Sequence, residues 1–511
     1  MLPLPDVVRL NARRVPERVA VVDENGRLTH AELTDRAMGL ARGLFDLGVR
    51  PRDRVGVLSA NSNFAIETLL GIVLVGATYV PFNWRWATAE LVHGIELTRP
   101  RVVLVEERFR EAAEEAVSTG KGDGRLPEDL VVRYQDEDYP ALLAPGGDVG
   151  VSVHLDDPLC ILFTGGTTGR SKGVVLTHRS GMTNAINELV DCGFGRAPYN
   201  TGANITPLFH SAALLCVFLP NYVTGGTNVN VHRFDEHGFP ELVEREGINS
   251  TFIIPNMIRR LLKAGAFEDE GLQANLKQLH SGGGLLRMPD KEAVLGQMPQ
   301  LELFFRYGLT ECGPMVSRLL PEDILRPELD GSIGKEYTFT EVQVRGPGGA
   351  ELPPGQLGEI CVKGPNVMDR YFDRPEDTTQ VLRDGWLHTG DLAVRDEEGY
   401  LFFRDRAKDM IKTGGENVYA AEIEQLLYAH PAVMECGVLG VESERWGEEV
   451  RAVVALREAD AVAEEELRSY LREHLAGYKV PKVFAFVEPK RMPVNPSGKV
   501  VKHDLREMMD W

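Results

Sequence analysis

Two periods of apolar and polar positions run along this chain. Short apolar runs predict strands: Arg54 to Leu58, Tyr79-Val80-Pro81, Val102 to Val105, Cys160 to Phe163 and Val174 to Leu176. Between them lie helix-period patterns. Thr29 precedes one that passes through Ala31, Leu33, Ala37, Leu40, Ala41 and Leu44, and Gly48 ends it. Phe64 to Val75 predicts a second, apolar helix. This βα rhythm over residues 5–150, resumed from Cys160 to about residue 325, predicts sheets with helices packed on them. Ala116 to Gly124 and Ala144 to Gly150 are polar or glycine-rich and predict surface loops.

The texture changes from Gly331 to Phe403. Val342 to Val344, Glu359 to Val362 and Tyr400 to Phe403 are short extended runs between Gly/Pro turns, which predicts a small β-subdomain or barrel. A compact α+β unit closes the chain. Glu435 to Val441, Val450 to Leu456 and Val483 to Val487 predict strands. Glu464 to Leu475 predicts a helix with Leu467, Leu471 and Leu475 on one face, stopped by Gly477 and Pro481. The charged segment Arg404 to Lys408 marks the boundary. The expected division is therefore 1–405, with its β-rich part at about 331–403, and 406–511. The fold class expected is α/β with a smaller C-terminal domain.

Composition narrows the class of partner. With 511 residues the chain can bury a large core in more than one domain. A formal net charge of -20 argues against duplex nucleic acid or anionic lipid as the main partner. Six scattered cysteines lack metal-ligand spacing and fit buried thiols of a reducing cytoplasm. The start MLPLPDVVRLNARRVPERVA lacks the plan of a signal peptide, and the long apolar stretch Ala65 to Val80 is interrupted by Glu67. The expectation is a cytoplasmic protein without a membrane span.

The chemistry concentrates in Thr164-Gly165-Gly166-Thr167-Thr168-Gly169-Arg170-Ser171-Lys172-Gly173, between two predicted strands. Glycines let successive amides converge on an anion, threonines add hydroxyl donors and Lys172 adds charge. That set suits a polyphosphate. It is no Walker loop, because no Ser or Thr follows the lysine and a strand comes next. Downstream, in fixed order, come Ser281-Gly282-Gly283-Gly284, Tyr307-Gly308-Leu309-Thr310-Glu311, Trp386-Leu387-His388-Thr389-Gly390-Asp391, Arg404-Asp405-Arg406-Ala407-Lys408-Asp409, Lys412-Thr413-Gly414-Gly415-Glu416-Asn417 and Asn495-Pro496-Ser497-Gly498-Lys499.

By these motifs and their order the chain resembles the adenylate-forming superfamily of acyl-CoA synthetases, luciferases and peptide-synthetase adenylation domains. The resemblance implies a two-step reaction. A carboxylate attacks the α-phosphate of ATP to give acyl-adenylate and pyrophosphate, and coenzyme A then displaces AMP. Both steps build negative charge, which fixed amides, a lysine and Mg²⁺ can offset. Residue by residue it implies that Thr164, Gly165, Gly166, Thr167, Thr168, Gly169 and Lys172 hold the outgoing pyrophosphate. Gly283 and Tyr307 flank adenine, Thr310 touches the α-phosphate, Glu311 binds Mg²⁺, and Asp391 takes the ribose hydroxyls with Arg406 nearby. Lys499 bridges the reacting groups and His210 lies by the acyl carboxylate. A mobile C-terminal domain turns about Lys408, and Gly414 and Gly415 leave room for the pantetheine arm of coenzyme A. Trp446-Gly447-Glu448 is expected on a loop near the coenzyme A nucleotide, and a homodimer is compatible with the resemblance although no interface is indicated.

Two loop positions depart from the usual pattern: Gly165 stands where serine is common and Ser171 where proline is common. Each change weakens the loop by about 1 kcal/mol or less. Ala420 likewise replaces a frequent proline or serine. The departures leave open an enzyme specialised for the second half-reaction. A carrier-protein acceptor and a non-catalytic nucleotide sensor are further alternatives. The segments Phe209 to Phe218, Asn221 to Asn230, Pro255 to Met257 and Gly282 to Leu286 are apolar with small residues, which points to a hydrophobic acid.

Overall fold

The computed structural model describes residues 1–143, 148–164, 171–193, 201–284, 286–406, 409–413, 416–443, 445–458, 461–494 and 500–511. It divides into two compact units. One comprises Met1–Asp330, Glu336–Glu341 and Val362–Leu387. The other comprises Gly331–Lys335, Val342–Cys361 and His388–Trp511.

The first unit holds two sheets. In a seven-stranded sheet the spatial order is Arg370–Tyr371, Lys172–Thr177, Pro158–Thr164, Thr78–Phe82, Arg54–Leu58, Val102–Val105 and Val131–Tyr134. From Pro158–Thr164 through Thr78–Phe82 and Arg54–Leu58 to Val102–Val105 the strands are parallel and buried on both faces, as their unbroken apolar runs require. Pro158–Thr164 and Lys172–Thr177, the two strands expected around the glycine loop, pair with each other antiparallel. The second sheet runs Met315–Leu319, Glu302–Gly308, Gln278–Gly282, Ser250–Phe252, Thr201–Asn204, Thr227–Asn230, Val19–Asp23 and Gly26–Thr29.

Helices cover these sheets. Thr29 caps His30–Asp46 through a reciprocal box with Glu32. Asn63–Leu74 is buried almost all round. Its one acid, Glu67, is neutralised by Arg36 and accepts a 2.7 Å hydrogen bond from the Tyr139 hydroxyl. The predicted loop over Ala116 to Gly124 is instead mostly helix, Arg110–Gly122. Its inward face is made of Ala113, Ala116 and Gly120, small residues whose helical spacing carries little hydrophobic contrast.

Five strands lying largely in the second unit, Glu341–Arg345, Leu357–Lys363, Trp386–Arg395, Leu401–Arg406 and Ser332–Glu336, run side by side in that order. A separate sheet follows, in the order Glu416–Tyr419, Met410–Thr413, Gly447–Leu456 and Val433–Ser443, with Val483–Val487 also paired to Gly447–Leu456. The helices Ala420–Ala429 and Glu464–His474 bury Ile423, Leu427, Leu467 and Leu471 in one core with Val438, Val450, Ala452 and Val454. Of the triplet expected on a loop, Trp446 sits in a turn, while Gly447 and Glu448 already belong to a strand. All six cysteines are free and buried. Among the described residues, no helix is long and apolar enough to cross a membrane.

Candidate active site

Two parallel strands aim the nucleotide motifs of the first unit at one edge. Gln278–Gly282 and Glu302–Gly308 run in register, with Gly282 opposite Arg306, so Gly283 leaves its strand beside the point where Tyr307, still paired with Ser317, continues the other. Glycine is required twice here. A Cβ on Gly282 would lie 2.4 Å from the Arg306 carbonyl oxygen, and one on Gly308 only 1.8 Å from that of Pro314. Gly283 has φ +75°, and the nearest atom to its missing Cβ is Ile254 Cγ2 at 4.0 Å. One face there is open to a flat ring.

Charge is buried beneath these strand ends. Arg306 and Glu188 form an ion pair at 2.6 Å, fully enclosed. The Tyr337 hydroxyl donates to Glu188 at 3.2 Å. Arg306 also donates to His280, which burial and the neighbouring cation keep neutral and which stacks on Phe304 at 4.5 Å. This cluster ties the helix His178–Asp191 to both motif-bearing strands.

On either side of the glycine loop, Thr164 and Lys172 face each other across the antiparallel pair. Gly165, Gly166, Thr167, Thr168 and Gly169 lie outside the described residues. Lys172 Nζ pairs with Asp377 Oδ1 at 3.0 Å and sits 5.0 Å from the centre of the Tyr371 ring. The Tyr371 hydroxyl donates to Glu311 Oε1 at 2.8 Å. Burial and that carboxylate hold the phenol's proton well above its ordinary range. The Glu311 backbone oxygen accepts from the Met368 amide at 2.8 Å. Tyr371 and Asp377 belong to no motif singled out in the sequence. Their segment, Asp369 to Asp377, holds two aromatics and four acids, so neither residue stands out in it.

Thr310 is joined to the acyl side through a 3.3 Å contact between its hydroxyl and that of Ser211. His210 precedes Ser211. Burial, helped by the positive charge of Arg85, lowers its pKa to about 4, so the ring is neutral at pH 7. Its Nε2 is buried without a hydrogen-bond partner among the described residues. The loop that carries it is held by Asn61, which donates to the Asn204 and Thr206 carbonyls at 2.8 and 2.9 Å and accepts from the Leu208 amide at 2.8 Å. Sequence reasoning missed Asn61. Beside this loop, Val217, Phe252 and Ile254 form an apolar cluster with Ala212 and Met257.

In the second unit Asp391 and Arg406 are cross-strand partners, with Oδ1 and Nε 3.2 Å apart. The strand segment before Asp391 is held by Glu359, which pairs with His388 Nδ1 at 2.8 Å and accepts the Gly390 amide at 2.9 Å. Asp405 accepts from the Arg406 and Ala421 amides. Lys408, Gly414, Gly415 and Lys499 lie outside the described residues.

Models of two families match the chain: AMP-binding enzyme over residues 8–372 and AMP-binding enzyme C-terminal domain over residues 422–499. The chain belongs to the AMP-binding enzyme family. It is 38% identical to a feruloyl-CoA synthase of Amycolatopsis sp over 97% of this chain and 96% of that one. It is 32% identical to a 2-succinylbenzoate–CoA ligase of Bacillus licheniformis, covering 98% and 99%. The o-succinylbenzoate coenzyme A synthetase of Bacillus subtilis, solved with ATP and magnesium ion, superposes with a TM-score of 0.86 at 28% identity over 99% of each chain. The molecule is thus an acyl-CoA synthetase, an ATP-dependent, AMP-forming acid–thiol ligase that uses ATP, Mg²⁺ and coenzyme A.

The donors present fit Mg²⁺. Glu311 offers hard carboxylate oxygen beside the Thr310 hydroxyl, and its hydrogen bond from Tyr371 fixes its orientation. Bound there, the ion would offset charge on phosphate oxygens. The chain itself sets out adjacent strand ends, a cation opposite Thr164, and a neutral imidazole on a loop beside an apolar cluster.

Proposed function

We propose that this synthetase activates an aromatic, propenoate-type carboxylic acid. The carrying observation is the apolar cluster of Val217, Phe252, Ile254, Ala212 and Met257 next to the open face of Gly283 and the Ser211–Thr310 contact. A flat hydrophobic acid suits that cluster, and the likeness to a feruloyl-CoA synthase supports the same class.

In this reading Thr164, Lys172 and the glycine loop between them hold the leaving pyrophosphate. Gly283 and Tyr307 flank adenine, Asp391 with Arg406 takes the ribose, and Thr310 contacts the α-phosphate. Neutral His210 donates to the acid's carboxylate, and Lys499 stabilises the charge that develops as carboxylate and α-phosphate join. Lys408 serves as a hinge at the division between 1–405 and 406–511, and Gly414 and Gly415 admit the pantetheine arm. Free coenzyme A is the acceptor and the cytoplasm the place of work, which six buried free thiols support.

The test is AMP release with ATP, Mg²⁺ and coenzyme A across hydroxycinnamates, benzoates, fatty acids and 2-succinylbenzoate. The expected result is the highest kcat/KM with a hydroxycinnamate. A fatty acid or 2-succinylbenzoate turned over tenfold better would overturn the reading. AMP release independent of coenzyme A would point to a carrier-protein acceptor.

A further inference from the structure

The ammonium of Lys172, the cation beside the glycine loop, already has an anionic partner in the same unit. Asp377 Oδ1 lies 3.0 Å away, and both side chains are about three-quarters buried, at 24% and 25% exposed. Asp377 is set firmly. It occupies the first turn of the helix Pro375–Val381, where a carboxylate is favoured by the helix dipole. The helix start is anchored by Thr378, whose hydroxyl oxygen accepts the Tyr371 amide at 3.0 Å. Tyr371 in turn pairs with Val174 on the strand that Lys172 begins. The acid and the lysine are therefore carried on segments that are hydrogen-bonded together. The alternative cation for Asp377, Arg374, stands 3.9 Å from its other oxygen.

A phosphate that reaches Lys172 must approach this carboxylate. Like charges at such a distance repel, and the partial burial weakens solvent screening. One anion is then favoured on the lysine at the expense of the other, and Arg374 is close enough to receive Asp377 when it turns away. The exchange works in both directions: the carboxylate that must leave for the triphosphate is also present to retake the lysine when pyrophosphate departs.

We propose that Asp377 is a positioning residue that competes with pyrophosphate for Lys172, loosening the product at the cost of weaker ATP binding. The inference rests on the reading of Lys172 as a phosphate ligand.

The experiment compares wild type, Asp377→Asn, Asp377→Ala and Lys172→Ala, with magnesium pyrophosphate as the probe. Binding is followed by titration calorimetry, and product inhibition with whichever acid supports AMP release. Both Asp377 variants should bind pyrophosphate three- to tenfold more tightly and lower the KM for ATP, with the KM for the acid unchanged. The gain should shrink between 0.05 and 0.5 M salt, which a merely structural role would not produce. Pyrophosphate affinity unchanged or weakened in both Asp377 variants, with Lys172→Ala defective, would overturn the competition alone. Wild-type pyrophosphate affinity in Lys172→Ala would overturn the phosphate role of Lys172 and this inference with it.

Discussion

The Tyr371 hydroxyl donates a 2.8 Å hydrogen bond to Glu311, while the ring of the same residue lies 5.0 Å from the Lys172 ammonium. One side chain thus touches both the carboxylate suited to the metal and the cation suited to phosphate. It comes from the strand Arg370–Tyr371, far along the chain from either.

Replacing that hydroxyl isolates its effect. Tyr371→Phe keeps the ring near Lys172 and removes the donor to Glu311. A hydrogen bond to a charged group is worth about 1.5–3 kcal/mol, and part of this orients the carboxylate. The Mg²⁺ concentration for half-maximal AMP release should rise several-fold while the KM for the acid stays put. An unchanged Mg²⁺ titration would show that Glu311 needs no such support.

The glycines near the nucleotide motifs should separate into two kinds. Gly308→Ala places a methyl 1.8 Å from the Pro314 carbonyl oxygen, and a backbone shift is unavoidable. The expected cost is above about 3 kcal/mol, read as loss of soluble protein or a large fall in Tm. Gly284→Ala meets nothing closer than Pro255 at 3.9 Å, so its Tm should stay near wild type. Equal Tm values for the two variants would refute the close approach.

Acid should destabilise the first unit through buried histidines. Burial lowers His30 and His178 from 6.5 to about 4, and His178 Nδ1 accepts the Leu4 amide at 3.3 Å, a role closed to the charged ring. Between pH 6.5 and 4 the unfolded chain binds protons that the native state refuses. Their stabilising contribution is therefore complete above pH 6.5 and is lost as pH falls toward 4. Each residue costs up to about 2 kcal/mol at pH 5. Urea midpoints taken from pH 7.5 to pH 5 should fall, and His178→Gln should flatten the slope. A flat wild-type profile would contradict the assignment.

Substituting Lys499 tests the role proposed for it in the first half-reaction. Lys499→Ala should depress acid-dependent ATP–pyrophosphate exchange by at least about a hundredfold, the scale of losing one preorganised charge. Thioester formation from synthetic acyl-adenylate should persist within about threefold of wild type. Brisk wild-type exchange would also dismiss the idea, raised by Gly165 and Ser171, of an enzyme confined to the second step.

Much of the scaffold is written in local contrast. Arg54–Leu58, Val102–Val105 and Val483–Val487 fall where their apolar runs predict, because each run is bounded by polar or turn-forming residues. The helix through Ala113, Ala116 and Gly120 escapes notice because small residues bury a face without a hydrophobic signature. At the site, the pairing of Gly282 with Arg306, each one residue before Gly283 and Tyr307, and of Thr164 with Lys172, follows from motifs at strand ends. Asn61, Tyr371 and Asp377 act across long stretches of chain on backbone groups and charges elsewhere. Such pairings are set by topology, and nothing in the neighbouring sequence of these three residues announces them.

Arg370–Tyr371 is the last strand of the seven-stranded sheet, laid against Lys172–Thr177. Shortened versions of the protein that stop ahead of it would strip a cover from Lys172–Thr177 and bare a row of amides and carbonyls. Such fragments should clump edge to edge, which sets a lower limit near residue 372 on how far the larger unit can be trimmed.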